Sequence, residues 1–218
     1  MEKIKQREKE INELKINVGF LGSFGSGKTT FIKVLNNIQN TKEIIVNDSI
    51  QKKIERNEKI IQFYYWDTKG YEKENKMSDL YLQIQQILLI FFDLSDKKSF
   101  LLIETNLLEQ IKKLEKKKKN DFRNQNDKKC DFLTVLVGNK KDLKGKREVD
   151  FEEGKSFAEK QGWKYFEICC LDFQQVQILE DFFVDFVFNN FEWSNKKISL
   201  GLEQQNQKKE RKSWNRCF

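Results

Sequence analysis

The chain has 218 residues, a net charge of +7, ten glycines, four cysteines, and neither proline nor histidine. Catalysis by His and metal sites built on His are thereby excluded, and Cys130, Cys169, Cys170 and Cys217 follow no metal-ligand spacing and are too few for a disulfide scaffold. The positive excess is local: residues 112–129 carry +6 and residues 194–218 carry +5, leaving −4 elsewhere, so no nucleic-acid-binding face is expected.

Residues 1–14 alternate charges at helical spacing and read as a charged arm or solvated helix. They contain no apolar signal core, and Glu2 excludes N-myristoylation. No apolar run approaches the roughly 18–20 residues that span a bilayer, so a cytoplasmic protein is expected, peripheral to a membrane at most. From Lys15 to about residue 193, short apolar runs alternate with amphipathic stretches, the pattern of an α/β domain with a mostly parallel sheet. Lys15–Leu21 reads as the first strand and Lys28–Asn37 as a helix. Residues 47–56 and 59–66 read as a hairpin turning at Asn57-Glu58. Ile87–Asp93 has the apolar continuity of a strand buried on both faces. Ser99–Leu114 has helical spacing, Phe132–Val137 reads as a buried strand, Phe151–Gln161 as a helix, Tyr165–Cys169 as a strand and Val176–Phe191 as a last helix. Two segments break the pattern: a Lys-rich insert, residues 112–129, read as a helix end entering a loop, and a polar basic tail, residues 194–218.

Gly22-Ser-Phe-Gly-Ser-Gly27-Lys28-Thr29 lies between a predicted strand and a predicted helix. A phosphate chain needs several converging backbone N–H groups, and glycines let the backbone curl that closely. The helix that follows adds its positive end. Gly22, Phe24, Gly25, Ser26, Gly27, Lys28, Thr29 and Thr30 are therefore candidate phosphate-binding residues, with Lys28 reaching the β- and γ-phosphates and Thr29 ligating Mg²⁺. The loop alone does not choose between ATP and GTP. Asn139-Lys140-Lys141-Asp142 supplies the choice, because a carboxylate such as Asp142 accepts from both guanine donors and finds no matching edge on adenine. Asn139 would brace the loop while the Lys140 stem lies along the ring.

With these segments in hand, the chain resembles the Ras superfamily, Rab proteins in particular, from about Lys15 to Phe191. The resemblance is carried by the phosphate loop, Trp66-Asp-Thr-Lys-Gly70, Ile90–Phe100, Gly138–Leu143, and Glu152–Ala158 leading to Tyr165–Cys169. It implies a P-loop small G domain, with a six-stranded mostly parallel sheet flanked by about five helices. It also implies GTP or GDP with Mg²⁺ as ligands, and a role in intracellular trafficking through protein effectors or a larger assembly. Asp67 would hold Mg²⁺ through water, and the Gly70 N–H would sense the γ-phosphate. Leu143 and the segment Cys169, Cys170 and Leu171 would complete the guanine site, although the family's S-A-K is absent there.

Departures cluster around the γ-phosphate. Tyr71 stands where the family has the Gln that orients the attacking water, and Phe24 is bulky where an arginine finger would approach. The switch threonine falls near Asn47; Thr41 is the candidate, and the absence of any such threonine is an equal alternative. Slow hydrolysis is expected. Cys217 fits neither prenylation pattern cleanly, and lipidation there, with the basic tail on an anionic membrane, is one expectation against plain disorder. Two readings stay open: a GTPase switch, and a pseudo-GTPase whose structural nucleotide supports an interaction module. An ATP-using P-loop kinase fails on Asn139–Asp142.

Overall fold

The computed structural model describes residues 11–36, 49–68, 79–123, 132–191, 193 and 195–196. Strand β1 (Ile11–Gly22) runs through the middle of the sheet and ends in the glycine turn that precedes α1 (Lys28–Leu35). Strands β2 (Ser49–Arg56) and β3 (Lys59–Trp66) form an antiparallel hairpin. Asn57 and Glu58 both adopt left-handed φ, 52° and 59°, the twist that a two-residue turn needs to match its strands. After the short helix α2 (Asp79–Ile84) come β4 (Ile87–Asp93), α3 (Lys97–Leu102) and α4 (Leu108–Arg123), with a π-helical turn at Ile103–Leu107 joining the two helices into one rod. Then follow β5 (Leu133–Asn139), α5 (Phe151–Gln161), β6 (Lys164–Glu167), α6 (Phe173–Asn190) and the two-residue β7 (Asn195–Lys196).

The strand order is β2-β3-β1-β4-β5-β6, parallel except at β2, with β7 antiparallel to the start of β1. Counting α3 and α4 as one rod, five helices cover the two faces. On one face α1 and α6 bury Phe31, Ile32, Leu179 and Phe183 against Val18, Phe63, Leu89 and Val135. On the other, α2 to α5 bury Leu82, Phe100, Ile111 and Phe157 against Leu88, Ile90 and Leu136. All seven residues of β4 are buried because it has helices on both sides. The Tyr81 hydroxyl of α2 accepts from the Phe20 N–H at 3.1 Å and donates to the Trp66 carbonyl at 3.0 Å, continuing the β1–β3 ladder past its last backbone pair, Gly19 with Trp66.

Several expectations need correction. The charged arm does not reach Leu14: Ile11–Leu14 extend β1, paired with β3 on one side. The helix expected at Ser99–Leu114 begins at Lys97, where Asp96 caps it by accepting from the Lys98 N–H, and it runs on to Arg123. Much of the Lys-rich insert is therefore helix; its residues 124–129 lie outside the described residues. β5 runs to Asn139, two residues past the expected end, while β6 stops at Glu167, which leaves Cys169 in a loop. The tail adds the two-residue β7, beside the start of β1, to the six-stranded, mostly parallel sheet that was expected.

Candidate functional site

The C-terminal ends of β1, β4 and β5 bring the sequence motifs to one pole. Gly22, Gly25 and Gly27 have φ of 129°, 78° and 104°, values that a side chain would strain. At Gly27 a Cβ would stand 2.0 Å from Asn139 Nδ2, so this glycine is where the phosphate loop meets the base-reading segment. Gly27 caps α1 without any side-chain hydrogen bond, which leaves the first-turn amides pointing out of the loop, the arrangement that receives phosphate oxygens. Lys28 is buried, and its ammonium donates to the Gly22 carbonyl and, at 2.9 Å, to the Ser23 carbonyl. The Ser26 hydroxyl also donates to the Ser23 carbonyl, at 2.8 Å, closing the loop on itself.

Thr29 Oγ1 donates to Asp67 Oδ2 at 2.6 Å. Two hard oxygens at this separation, one from α1 and one just after β3, suit Mg²⁺, which takes a few protein oxygens and keeps the rest of its shell for phosphate and water. Thr30 follows in the first turn of α1. Phe24 is 74% exposed at the mouth of the loop. Gly70, Tyr71, Thr41 and Cys217 lie outside the described residues.

Asn139 is the joint of the site. Its Nδ2 donates to the Ser26 carbonyl at 2.8 Å, and its Oδ1 accepts from the Cys170 N–H at 3.0 Å. One buried amide therefore ties three chain segments, 22–29, 139–142 and 169–171, into one wall. Lys140 takes a left-handed φ of 67°, and its ammonium lies 2.5 Å from Asp93 Oδ2 at the end of β4. Burial would raise the Asp93 carboxyl, but Lys140 and the Ser95 donors outweigh it and hold the group below the usual carboxylate range. The Lys140 stem is thus fixed at both ends. Asp142 and Leu143 are exposed beyond it, as is Leu171.

Sequence reasoning missed the partner of Asp142. The Cys169 thiol stands beside the Asp142 carboxylate; burial raises this thiol and the neighbouring carboxylate raises it further. Burial holds the Cys170 thiol well above its usual range too, with Cys169 and Asp142 adding to the effect. The loop is held by α6: Gln175 Oε1 accepts from the Cys169 N–H at 2.9 Å, and Gln175 Nε2 donates to Asp172 Oδ2 at 2.7 Å. Asp93 was also missed as an anchor, although an acid ending an apolar strand was the available signal.

The sequence model of the Ras family matches residues 17–189. The chain is 28% identical over 185 residues to the Ras-related protein Rab-11B of Dictyostelium discoideum, covering 84% of this chain and 77% of that protein. It is 27% identical over 193 residues to the Ras-related protein Rab-27B of Homo sapiens, covering 83% of each. Similarity to the Ras-related protein RABA5a of Arabidopsis thaliana is 31% over 150 residues, 69% of this chain and 62% of the relative.

Proposed function

This chain belongs to the Ras family, and on that premise we propose that it is a Rab-like switch that binds GTP or GDP with Mg²⁺ and turns the nucleotide over slowly. The observation that carries the reading is the Asn139 side chain, which joins the phosphate loop to the loop at Cys170. A site with that joint can sense a phosphate chain and a purine as one ligand. In it, the amides of Gly22 to Thr30 and the Lys28 ammonium bind the phosphates. Asp142 accepts from the two guanine donors, with the Cys169 thiol beside it. The Cys170 N–H lies at the guanine O6 side, and Leu143 and Leu171 shield the ring.

Thr29 and Asp67 would hold Mg²⁺, Asp67 through water, with Thr41 as the candidate third contact and Gly70 as the γ-phosphate sensor. The ion, when bound, neutralises charge on the phosphates. Slow turnover rests on Tyr71 and Phe24: a phenol offers one oxygen in place of the separate carbonyl and NH₂ with which a Gln amide orients the attacking water, and the exposed Phe24 ring obstructs a donor brought from outside. The second reading, a pseudo-GTPase whose nucleotide is structural, draws on the same two residues. Protein effectors or a larger assembly are the expected partners, in intracellular trafficking. Among the described residues no helix is long and apolar enough to cross a membrane; the basic tail would supply a peripheral contact.

The test is to identify the nucleotide that copurifies and follow its fate in a single turnover. GDP or GTP released on denaturation, with hydrolysis slower than in ordinary Rab proteins, is expected. Protein that arrives empty and ignores added GDP and GTP would overturn the reading. A normal hydrolysis rate would remove the slow-switch proposal, and bound nucleotide that never turns over would favour the pseudo-GTPase.

A further inference from the structure

The rod formed by α3 and α4 ends in a lysine-rich stretch that the nucleotide site does not use. Lys112, Lys113, Lys116, Lys117 and Lys119 are all exposed. At about 100° per residue, they fall within one outward arc of the helix. Ile111 and Leu114 face the core, and the Glu115 carboxylate turns inward to accept from the Thr134 hydroxyl at 2.8 Å and the Trp163 indole at 2.7 Å. Lys118 lies over the Phe132 ring. Of the acids nearby, only Glu109 shares the lysine arc, and it is paired with Lys113. Like charges at i,i+4, such as Lys112 with Lys116 and Lys113 with Lys117, repel one another along this face. An anionic partner relieves that repulsion.

The contacts of Glu115 and Lys118 put the lysine face beside the starts of β5 and β6, at the end of the sheet opposite Gly22, Asp93 and Asn139. β7 lies at that same end, because Asn195 and Lys196 pair with Asn12 and Ile11, the first residues of β1. The register sets Val18 beside Ile87, so Asn12 projects about 20 Å beyond the start of β4. The residues that follow β7 in sequence include Lys197, Lys208, Lys209, Arg211, Lys212 and Arg216. The described chain thus ends, at β7, on the same pole as the lysine face.

We propose that the lysine face of α4 is a docking surface for an anionic phospholipid bilayer, which turns the nucleotide pole toward solvent. The chemistry favours a lipid surface over other polyanions. The face is the outer arc of a helix, a convex surface and not the groove in which a peptide lies. The described cations exposed on it, Lys112, Lys113, Lys116, Lys117 and Lys119, are point charges without the fork that Arg presents to individual phosphates. Among the described residues the exposed aromatics Phe24, Phe151 and Phe173 lie off this face, so it lacks a platform for stacking bases. A charge dipole across the body also orients the molecule as it approaches.

The experiment is co-sedimentation of the full-length, nucleotide-loaded protein with phosphatidylcholine vesicles and with vesicles containing roughly one third phosphatidylserine. One variant combines Lys112→Gln, Lys116→Gln, Lys117→Gln and Lys119→Gln; another combines Lys208→Gln, Lys209→Gln, Arg211→Gln and Lys212→Gln. Salt-sensitive binding only to the phosphatidylserine vesicles is expected, and the α4 variant should weaken it by about tenfold or more while retaining its nucleotide, which checks the fold. The tail variant should keep measurable salt-sensitive binding. The proposal is overturned if the α4 variant binds as the parent does, if the tail variant loses all binding, or if single-stranded RNA or polyglutamate is captured as tightly as the phosphatidylserine vesicles.

Discussion

The two halves of the nucleotide pole are built differently. On the guanine side the supports are tied to the sheet and to α6: Asn139 ends β5 and bridges two loops, Lys140 pairs with Asp93 at the end of β4, and Gln175 of α6 holds the Cys169 loop. On the γ-phosphate side the supports among the described residues are the loop glycines, Lys28, and the Thr29–Asp67 contact, while Thr41, Gly70 and Tyr71 lie outside the described residues. The guanine half is therefore braced by contacts within the fold itself, whereas turnover, as proposed, rests on the identities of Tyr71 and Phe24. A family member can lose the second and keep the first.

The strongest way to break the guanine half is Asp142→Ala. It removes two charged hydrogen bonds to the base, about 3 kcal/mol or more, and should weaken GDP binding by roughly 100-fold or more in a fluorescent-nucleotide titration. Asn139→Ala comes next, because it strands the Ser26 carbonyl and the Cys170 N–H; GDP release should accelerate by about 30-fold, as read by stopped-flow displacement. A release rate unchanged in that variant would mean that the joint carries no load. On the other half, Tyr71→Gln combined with Phe24→Gly should raise single-turnover hydrolysis by about tenfold without changing GDP affinity. If affinity moved with rate, the division between the halves would be wrong.

Acid should act on the guanine half in a defined sense. The folded Asp93 carboxyl is lowered, because Lys140 and Ser95 outweigh the burial that opposes them; Glu167 is lowered in the same sense by Arg147 and Tyr165. Such groups stabilise the fold fully above the ordinary carboxylate range and lose that contribution as pH falls through their folded values. Thermal melts should be flat near neutrality and decline below about pH 4, with a shallower decline in Asp93→Asn. The smallest effect expected is that of Cys169→Ser, which keeps a small polar group beside Asp142 and should change GDP affinity by less than about threefold.

What could be read from the chain beforehand was whatever local chemistry dictates. β4 and α5 have the bounds expected, because an apolar run closed by Asp93 and an amphipathic stretch ending before the left-handed Gly162 carry their own punctuation. The phosphate loop and the Asn139–Asp142 segment were legible as motifs. What was hidden depends on partners distant in sequence. Ile11–Leu14 look like helix by charge spacing, yet pairing with Lys59–Ile61 makes them strand. β7 has two residues and exists only because β1 extends beyond β4. The π turn at Ile103–Leu107 leaves no mark in the apolar spacing. The Cys169 thiol looked like core filling, since nothing in a linear reading sets it beside Asp142. Glu180, buried with Lys52 and the Tyr65 hydroxyl on it, was hidden for the same reason.

The Tyr81 hydroxyl substitutes for a peptide group in the rung after Gly19 and Trp66. Lifting α2 off the sheet would strand an amide and a carbonyl together, at about 1–3 kcal/mol for each, beside the residue that leads into Asp67. A regulator that pries α2 from the sheet must therefore offer both groups new partners, which makes Tyr81 the latch of that helix.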